Sequence, residues 1–279
     1  MKKKKLLIWL AACWIFLLLS VIGAATYAWF TFQPYTNVEP ISSTVSSGDT
    51  ALLISALPGG SFTAECVLPQ SVSGNLEPVS TADLEHFYGA VRQTRQGISV
   101  MFEDAANRVD TDTIHGIFYL QSLKDGCDVY FNRNGMDFGQ DIQMLAALRL
   151  GLRISTDERI YTYIFRLDEM GDTKNASARQ TTVQANAVIE GITADGAPVY
   201  RQDPALSLSD YFAAAGRGTN GLPAAGRAKL CTINANGLAS VEYWLYLEGC
   251  DENCINDVQN REGYIQLSFA GVSAPGTEK

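Results

Sequence analysis

Alternation of apolar and polar residues with a period of two constrains the fold of this 279-residue chain more than any other feature. Successive side chains of a β-strand point to opposite faces, so this pattern is typical of strands with one buried face. We therefore predict an all-β fold, an antiparallel β-sandwich of jelly-roll type with one or two short helices. The clearest segments are 147–156 (ALRLGLRIST), 159–168 (RIYTYIFRLD), 240–249 (SVEYWLYLEG) and 263–271 (GYIQLSFAG).

Two segments break the alternation and predict the short helices. Residues 80–93 (STADLEHFYGAVRQ) carry apolar side chains at helical spacing behind a Ser-Thr cap, and residues 206–216 (LSLSDYFAAAG) end at a glycine, which often closes a helix. Neither an internal repeat nor a long linker divides the body. Residues 29–270 are therefore predicted to form a single β-sandwich domain, followed by a flexible tail at 271–279.

The charge of the chain limits the partners of its body. The formal net charge is −9, and residues 1–28 contain four lysines and no acidic residue, so the remainder carries −13. Such a body repels nucleic acid and anionic lipid headgroups. We expect no nucleic-acid partner, and contact with a membrane only through residues 1–28.

The N-terminal segment predicts export. Residues 1–5 (MKKKK) form a basic region and residues 6–28 an apolar run that ends in small residues, as in a secretory signal peptide. Thr26 and Ala28 fit a small-x-small cleavage site in front of Trp29. We predict an extracellular or cell-surface protein.

Two other interpretations of this segment remain open. The apolar run is about long enough to span a bilayer as a retained anchor, with Trp29 and Phe30 at the outer interface. Residues 10–13 (LAAC) look like a lipobox, which would make Cys13 a lipid anchor. An apolar run follows that cysteine, whereas a lipoprotein usually continues into a polar tether.

Residues 23–31 (GAATYAWFT) and 46–55 (SSGDTALLIS) resemble the processing region and early strand of the TasA/camelysin group, exported proteins of Gram-positive bacteria. Residues 241–256 (VEYWLYLEGCDENCIN) resemble a Trp-Leu-Glu-Gly-x-Asp phrase in related exported proteins. The resemblance implies cleavage after Ala28 by a dedicated signal peptidase. It also implies a fibre subunit whose mature N-terminal segment adds as a strand to the next copy.

The donor strand in that assembly would be residues 29–42 (WFTFQPYTNVEPIS), with Trp29, Phe30 and Phe32 as anchors. An extended segment can satisfy the unpaired backbone groups of an edge strand, so the partner would be a second copy of this chain. Two prolines within the segment limit the length of an uninterrupted ladder.

The cysteines favour a disulfide over a metal site. Beyond Cys13 the chain has an odd number of cysteines: Cys66, Cys127, Cys231, Cys250 and Cys254. Cys250 and Cys254 are the one close pair and the main disulfide candidate, although either could pair with a distant cysteine. At least one thiol must remain free or bond to another chain.

No recognisable catalytic constellation is present. The chain has only two histidines, His86 and His115, and lacks the His-Glu-x-x-His helix of a zinc peptidase. Carboxylates suggest weak calcium sites at Asp110 and Asp112 and at Glu248 and Asp251, with a solvated acidic loop as the competing interpretation in each case. We predict no enzyme activity, no catalytic residue and no cofactor.

The sequence thus predicts a secreted or cell-surface structural protein, a subunit or accessory of extracellular fibres. The alternative is a membrane-tethered binding module, in which Tyr243, Trp244 and Tyr246 would form a contact face. A metal-dependent peptidase of camelysin type is the least favoured function.

Overall fold

The alternating segments form β-strands, as predicted. The computed structural model describes residues 36–38, 42–47, 52–69, 75–93, 99–123, 126–139, 142–167, 187–216, 223, 227–251, 253–254, 262–263 and 265–273. Contacts divide the chain into Met1–Pro34 and Tyr35–Lys279, and all described residues belong to the second unit. The predicted cleavage residues Thr26, Ala28 and Trp29, and the predicted anchors Phe30 and Phe32, lie outside the described residues.

The described residues contain nineteen strands and three short α-helices. The strands are β1 (Thr36–Val38), β2 (Ser42–Ser47), β3 (Leu52–Ser55), β4 (Glu65–Val67), β5 (Asn75–Leu76), β6 (Pro78–Ser80), β7 (Tyr88–Gln93), β8 (Ser99–Asp104), β9 (Ile114–Ser122), β10 (Cys127–Phe131), β11 (Leu148–Ser155), β12 (Ile160–Arg166), β13 (Ala187–Ile192), β14 (Pro198–Gln202), β15 (Leu206–Ser207), β16 (Cys231–Ile233), β17 (Leu238–Glu248), β18 (Glu262–Gly263) and β19 (Gln266–Ser273). The helices are α1 (Val109–Asp112), α2 (Ile142–Ala147) and α3 (Leu208–Ala215), and a 3₁₀ turn spans Arg133–Gly135.

Two large sheets dominate the body. One has five strands in the order β16-β10-β19-β2-β4, and the other has nine, with the path β15-β12-β11-β17-β6-β7-β8 and with β9 and β3 joined to it through β17. Most strand pairs are antiparallel, whereas β1–β18, β12–β15, β17–β6 and β19–β2 are parallel, so the sheets are mixed. The all-β prediction is confirmed, and the jelly-roll strand order stays a prediction.

The main core lies between these two sheets. The rings of Phe118 on β9 and Phe269 on β19 are 5.6 Å apart, and those of Phe131 on β10 and Phe165 on β12 are 5.1 Å apart. Each pair joins one sheet to the other. Burial of apolar side chains on the facing surfaces supplies the driving force for this packing.

A second layer covers part of the outer face of the nine-stranded sheet. Trp244 and Tyr246 pack there against Val79, Leu84 and Phe87. Trp244 is 4% exposed, and Tyr246 and Tyr243 are fully buried. The predicted contact face of these three aromatic residues is therefore wrong, because both faces of β17 are covered over residues 243–248.

The predicted helix over 80–93 is also wrong. Its first residue ends β6 and its second half forms β7, which pairs with β8 from Tyr88 to Gln93. Between them, Thr81 Oγ1 accepts a hydrogen bond from the Leu84 amide at 3.0 Å, and Asp83 Oδ1 accepts two from the following amides. Leu84 has a φ of 62°. These side-chain bonds stabilise a turn in place of a helix.

The helix predicted within 206–216 is confirmed as α3. Ser207 Oγ accepts a hydrogen bond from the Asp210 amide at 3.1 Å, which caps the N-terminus. Gly216 has a φ of 69°, and its amide donates a hydrogen bond to the Phe212 carbonyl at 3.1 Å, which ends the helix.

The prediction of a flexible tail from residue 271 is wrong for its first three residues. Gly271, Val272 and Ser273 belong to β19 and pair with β10. The strand continues because β10 offers backbone partners as far as Cys127. Residues 274–279 lie outside the described residues.

Substituting Gly151 with alanine should destabilise the fold by about 1–3 kcal/mol, because the added methyl overpacks the second layer. A Cβ at this position would lie 2.5 Å from Leu84 Cδ2. Urea unfolding would measure the effect, and the cost should shrink in a Leu84→Ala background, where the space is free. An equal loss of stability in the wild-type and Leu84→Ala backgrounds would contradict the close contact between residue 151 and Leu84.

Candidate functional site

Four ionisable residues form a buried group, the Arg149 cluster: Arg149, Asp203, Glu248 and Asp251. They come from β11, from the segment between β14 and β15, from the end of β17 and from the turn that follows it. Arg149 and Glu248 alternate with the apolar residues Leu148 and Leu247 of their strands, which by itself would indicate a solvent-facing position. The second layer covers those faces, so the charges lie inside the protein.

Arg149 is the centre of the cluster and is only 1% exposed. Its Nη2 pairs with Asp203 Oδ2 at 3.4 Å and with Asp251 Oδ2, and its Nη1 donates to the Ala146 carbonyl at 3.0 Å. Although burial alone lowers the pKa of Arg149, the charges of Asp251 and Asp203 raise it overall. The guanidinium thus fastens two loops to the sheet.

Glu248 is equally buried but differs in charge state. Burial raises its pKa to about 8, although a hydrogen bond with Ser80 and the charge of Arg149 act in the opposite direction. Its Oε1 accepts the Cys250 amide at 3.1 Å. At neutral pH Glu248 is therefore predominantly a neutral acid.

Three buried polar atoms in this region have no hydrogen-bond partner among the described residues: Arg149 Nε, Tyr246 Oη and Glu248 Oε2. Such atoms cost free energy unless water reaches them. A buried polar network of this kind stabilises the fold when its hydrogen bonds are satisfied, and the loss of any member lowers that stability.

The disulfide predicted between Cys250 and Cys254 is absent, since both residues are free thiols. Cys250 packs with Phe102 and Ile189, whereas Cys254 packs against the main core. The two side chains thus lie in different apolar clusters. Burial raises the pKa of both thiols, which disfavours the reactive thiolate. Cys66, Cys127 and Cys231 are free thiols as well.

His115 forms a second, more exposed site. Its Nδ1 lies 2.9 Å from Asp110 Oδ1 and its Nε2 lies 2.9 Å from Glu242 Oε1. The imidazole stacks on the indole of Trp244 with a centroid distance of 4.9 Å and an interplanar angle of 6°. Carboxylates thus occupy both ring nitrogens, and His115 ties α1 to β17.

The other sequence-predicted residues also have partners within the protein. His86 Nδ1 lies 2.9 Å from Asp83 Oδ2, and Asp112 pairs with Arg108 at 3.4 Å. Of the predicted calcium ligands, Asp110 pairs with His115 and Asp251 with Arg149. In the described part of the chain, no three His, Cys, Asp or Glu side chains form a group suited to a metal ion.

No described helix combines the length and the apolar character needed to cross a bilayer. The apolar run at 6–28 lies outside the described residues.

Comparisons with protein-family models, with curated proteins and with solved structures gave no significant match to this chain. The function proposed below therefore rests on the residues and on their geometry.

Proposed function

We propose that this chain is an exported structural protein of the cell surface or extracellular matrix, a subunit or accessory of fibres. One observation carries the proposal. The ionisable residues that were the candidates for chemistry, His115 and the Arg149 cluster, pair within the protein and connect loops and helices to the sheets. Such pairing suits a scaffold better than a reactive centre.

The N-terminal segment supplies the means of assembly. Strand β1 begins at Thr36 and pairs with β5 and β18 of its own chain, so at most residues 29–35 are available as a donor. Seven extended residues span about 23 Å, enough to pair along an edge strand. Phe30 and Phe32 would lie on the same face of this donor, as anchors for one pocket or groove of a second copy.

Replacing Phe30 and Phe32 with serine should weaken fibre assembly without impairing export or folding. The double variant keeps Thr26, Ala28 and Trp29 at the predicted cleavage site. It removes two apolar anchors, so we expect at least a tenfold increase in the concentration needed for polymers. The measurement is electron microscopy and sedimentation of protein released by a Gram-positive host, with intact mass and N-terminal sequencing to establish the start.

The matched control replaces two exposed apolar residues of the body, Leu57 and Ile160, which are 65% and 57% exposed. This variant should polymerise like the wild type. Loss of fibres in the control variant alone would indicate that the interface between copies lies on the body and not on the N-terminal segment. If the protein retains residues 1–28 and is found in the membrane fraction, that result would favour the alternative, a tethered binding module.

A peptidase stays the least favoured function, because each histidine pairs with a carboxylate of its own chain. Hydrolysis of a casein substrate by the released protein, blocked by a chelator, would revive it.

A further inference from the structure

Lys229 contacts a buried carboxylate, that of Asp128, which none of the sites above uses. Lys229 Nζ lies 2.7 Å from Asp128 Oδ1, and Thr232 Oγ1 donates a hydrogen bond to the same oxygen, also at 2.7 Å. The Asp128 side chain is fully buried, whereas that of Lys229 is 37% exposed. The second oxygen of Asp128, Oδ2, is buried and has no hydrogen-bond partner among the described residues. A primary amine thus reaches, from the protein surface, a carboxylate that is shielded from water.

The backbone on both sides of this contact is held by the sheet. Asp128 lies in β10, which runs between β16 and β19. The Leu230 amide donates to the Val129 carbonyl at 2.8 Å, which fixes the residue after Lys229 against β10. Tyr163 Oη donates to the Leu230 carbonyl at 2.8 Å from the other large sheet. The amine and the carboxylate are therefore positioned by the fold, which lowers the entropic part of a barrier to reaction between them.

An amine at this distance is placed to react with the carboxyl group. A nitrogen 2.7 Å from Oδ1 lies about 3.5 Å from Cγ, close to the separation from which a nucleophile attacks. Lys229 is the one lysine among the described residues, so the other ion pairs described above use arginine or histidine. A guanidinium keeps its protons in a protein. Among these pairs, Lys229 and Asp128 alone join a primary amine to a carboxylate.

We propose that Lys229 and Asp128 condense into an isopeptide bond, a covalent cross-link between Nζ and Cγ. One proton passes from the Lys229 ammonium to Oδ1, which leaves a neutral amine and a neutral acid. The Nζ lone pair attacks Cγ, a second Nζ proton passes to Oδ1, and the Cγ–Oδ1 bond breaks. Oδ1 leaves as water, and Oδ2 remains as the carbonyl oxygen of the amide. One ammonium and one carboxylate thus give one amide and one water, without an oxidant or a further reactant.

The surroundings of Asp128 favour this step. Thr232 Oγ1 donates to Oδ1, the oxygen that departs, and so stabilises the charge that develops on it. Burial of Asp128 excludes the water that would hydrolyse the product. An unpartnered amide carbonyl oxygen also costs less to bury than an unpartnered carboxylate oxygen, so the product suits the position of Oδ2 better than the reactant does. The bond ties the segment before β16 to β10, across 101 positions of the chain.

Peptide mapping of the full chain by mass spectrometry tests the proposal. Trypsin should release residues 125–133 joined to residues 228–261, because a cross-linked Lys229 is no longer a cleavage site. The joined pair should weigh about 18 Da less than the sum of its parts, the mass of one water. Separate linear peptides of unmodified mass would overturn the proposal. A water loss confined to the linear peptide 125–133 would indicate a succinimide at Asp125-Gly126 and would overturn it as well.

Three variants assign the bond. Lys229→Arg keeps a cation beside Asp128 but removes the primary amine, so its tryptic peptides should be linear and unmodified. The matched control Lys174→Arg makes the same replacement elsewhere in the chain and should keep the cross-link. Loss of the cross-link in both variants would overturn the assignment to Lys229. Thr232→Val keeps the shape of the side chain without the hydroxyl, and the cross-linked fraction of newly released protein should rise at least about tenfold more slowly. An unchanged rate would overturn the role of Thr232. The result is independent of fibre formation.

Discussion

Replacing Arg149 with methionine should lower the free energy of unfolding by about 3–5 kcal/mol, the cost of removing one partner from a buried ion pair. Methionine retains much of the packing volume, so the loss reports mainly on charge. Asp203 and Asp251 would remain 16% and 11% exposed with no cation beside them. Urea unfolding at pH 7 measures the change.

The same strand offers a matched control. Arg153 pairs with Glu85 at 3.2 Å, but the two side chains are 33% and 55% exposed. Arg153→Met should therefore cost no more than about 1 kcal/mol. Adding Asp203→Asn and Asp251→Asn to Arg149→Met should recover part of the loss, because neutral amides are cheaper to bury than lone charges. Similar costs for the two arginines would show that Arg149 contributes little through its charge.

Substituting Glu248 with glutamine should remove a pH dependence of stability. Burial raises the pKa of this carboxyl to about 8, whereas the unfolded chain has the ordinary value of 4.5. Between these values the folded state keeps a proton that the unfolded state releases. The contribution of Glu248 to stability is therefore fully present below pH 4.5 and is lost as the pH rises towards 8.

Glutamine carries no such proton, so the variant should gain stability relative to wild type as the pH rises. A shift of this size corresponds to a relative gain on the order of 4 kcal/mol between pH 4.5 and pH 8. Urea unfolding of both proteins at several pH values tests this, and only the difference between them matters. The control Glu190→Gln, at an exposed position of β13, should leave the slope unchanged. Parallel pH profiles for wild type and Glu248→Gln would refute the buried neutral acid.

The candidate site was only partly predictable from the sequence. Glu248 and Asp251 stood out as a concentration of carboxylates, but as calcium ligands. The cation they meet is a guanidinium from β11, and nothing in the chain near Asp203 indicated that it would join them. The ion pairs of Arg149 with Asp203 and Asp251 join residues 54 and 102 positions apart, and such pairs leave no local pattern, because each partner alone resembles an ordinary surface charge.

The cysteines show the same limit. Spacing in CDENC favoured a disulfide between Cys250 and Cys254, since a short loop closes at small entropic cost. In the fold, Cys250 packs with Phe102 and Ile189 while Cys254 packs on the main core. Which apolar cluster receives each side chain depends on chain segments far away.

The sequence by itself determined the strongly alternating strands β11, β12, β17 and β19, and helix α3 with its closing glycine. These features depend on contacts within a few residues, so they leave a local signal. Only the tertiary structure decided that a second layer covers the outer face of β17, that residues 81–87 form a turn over Gly151, and that Arg149 is buried. Each of these features depends on packing between segments distant in sequence. Such packing sets the free-energy cost of burying a charge and the stability of a turn.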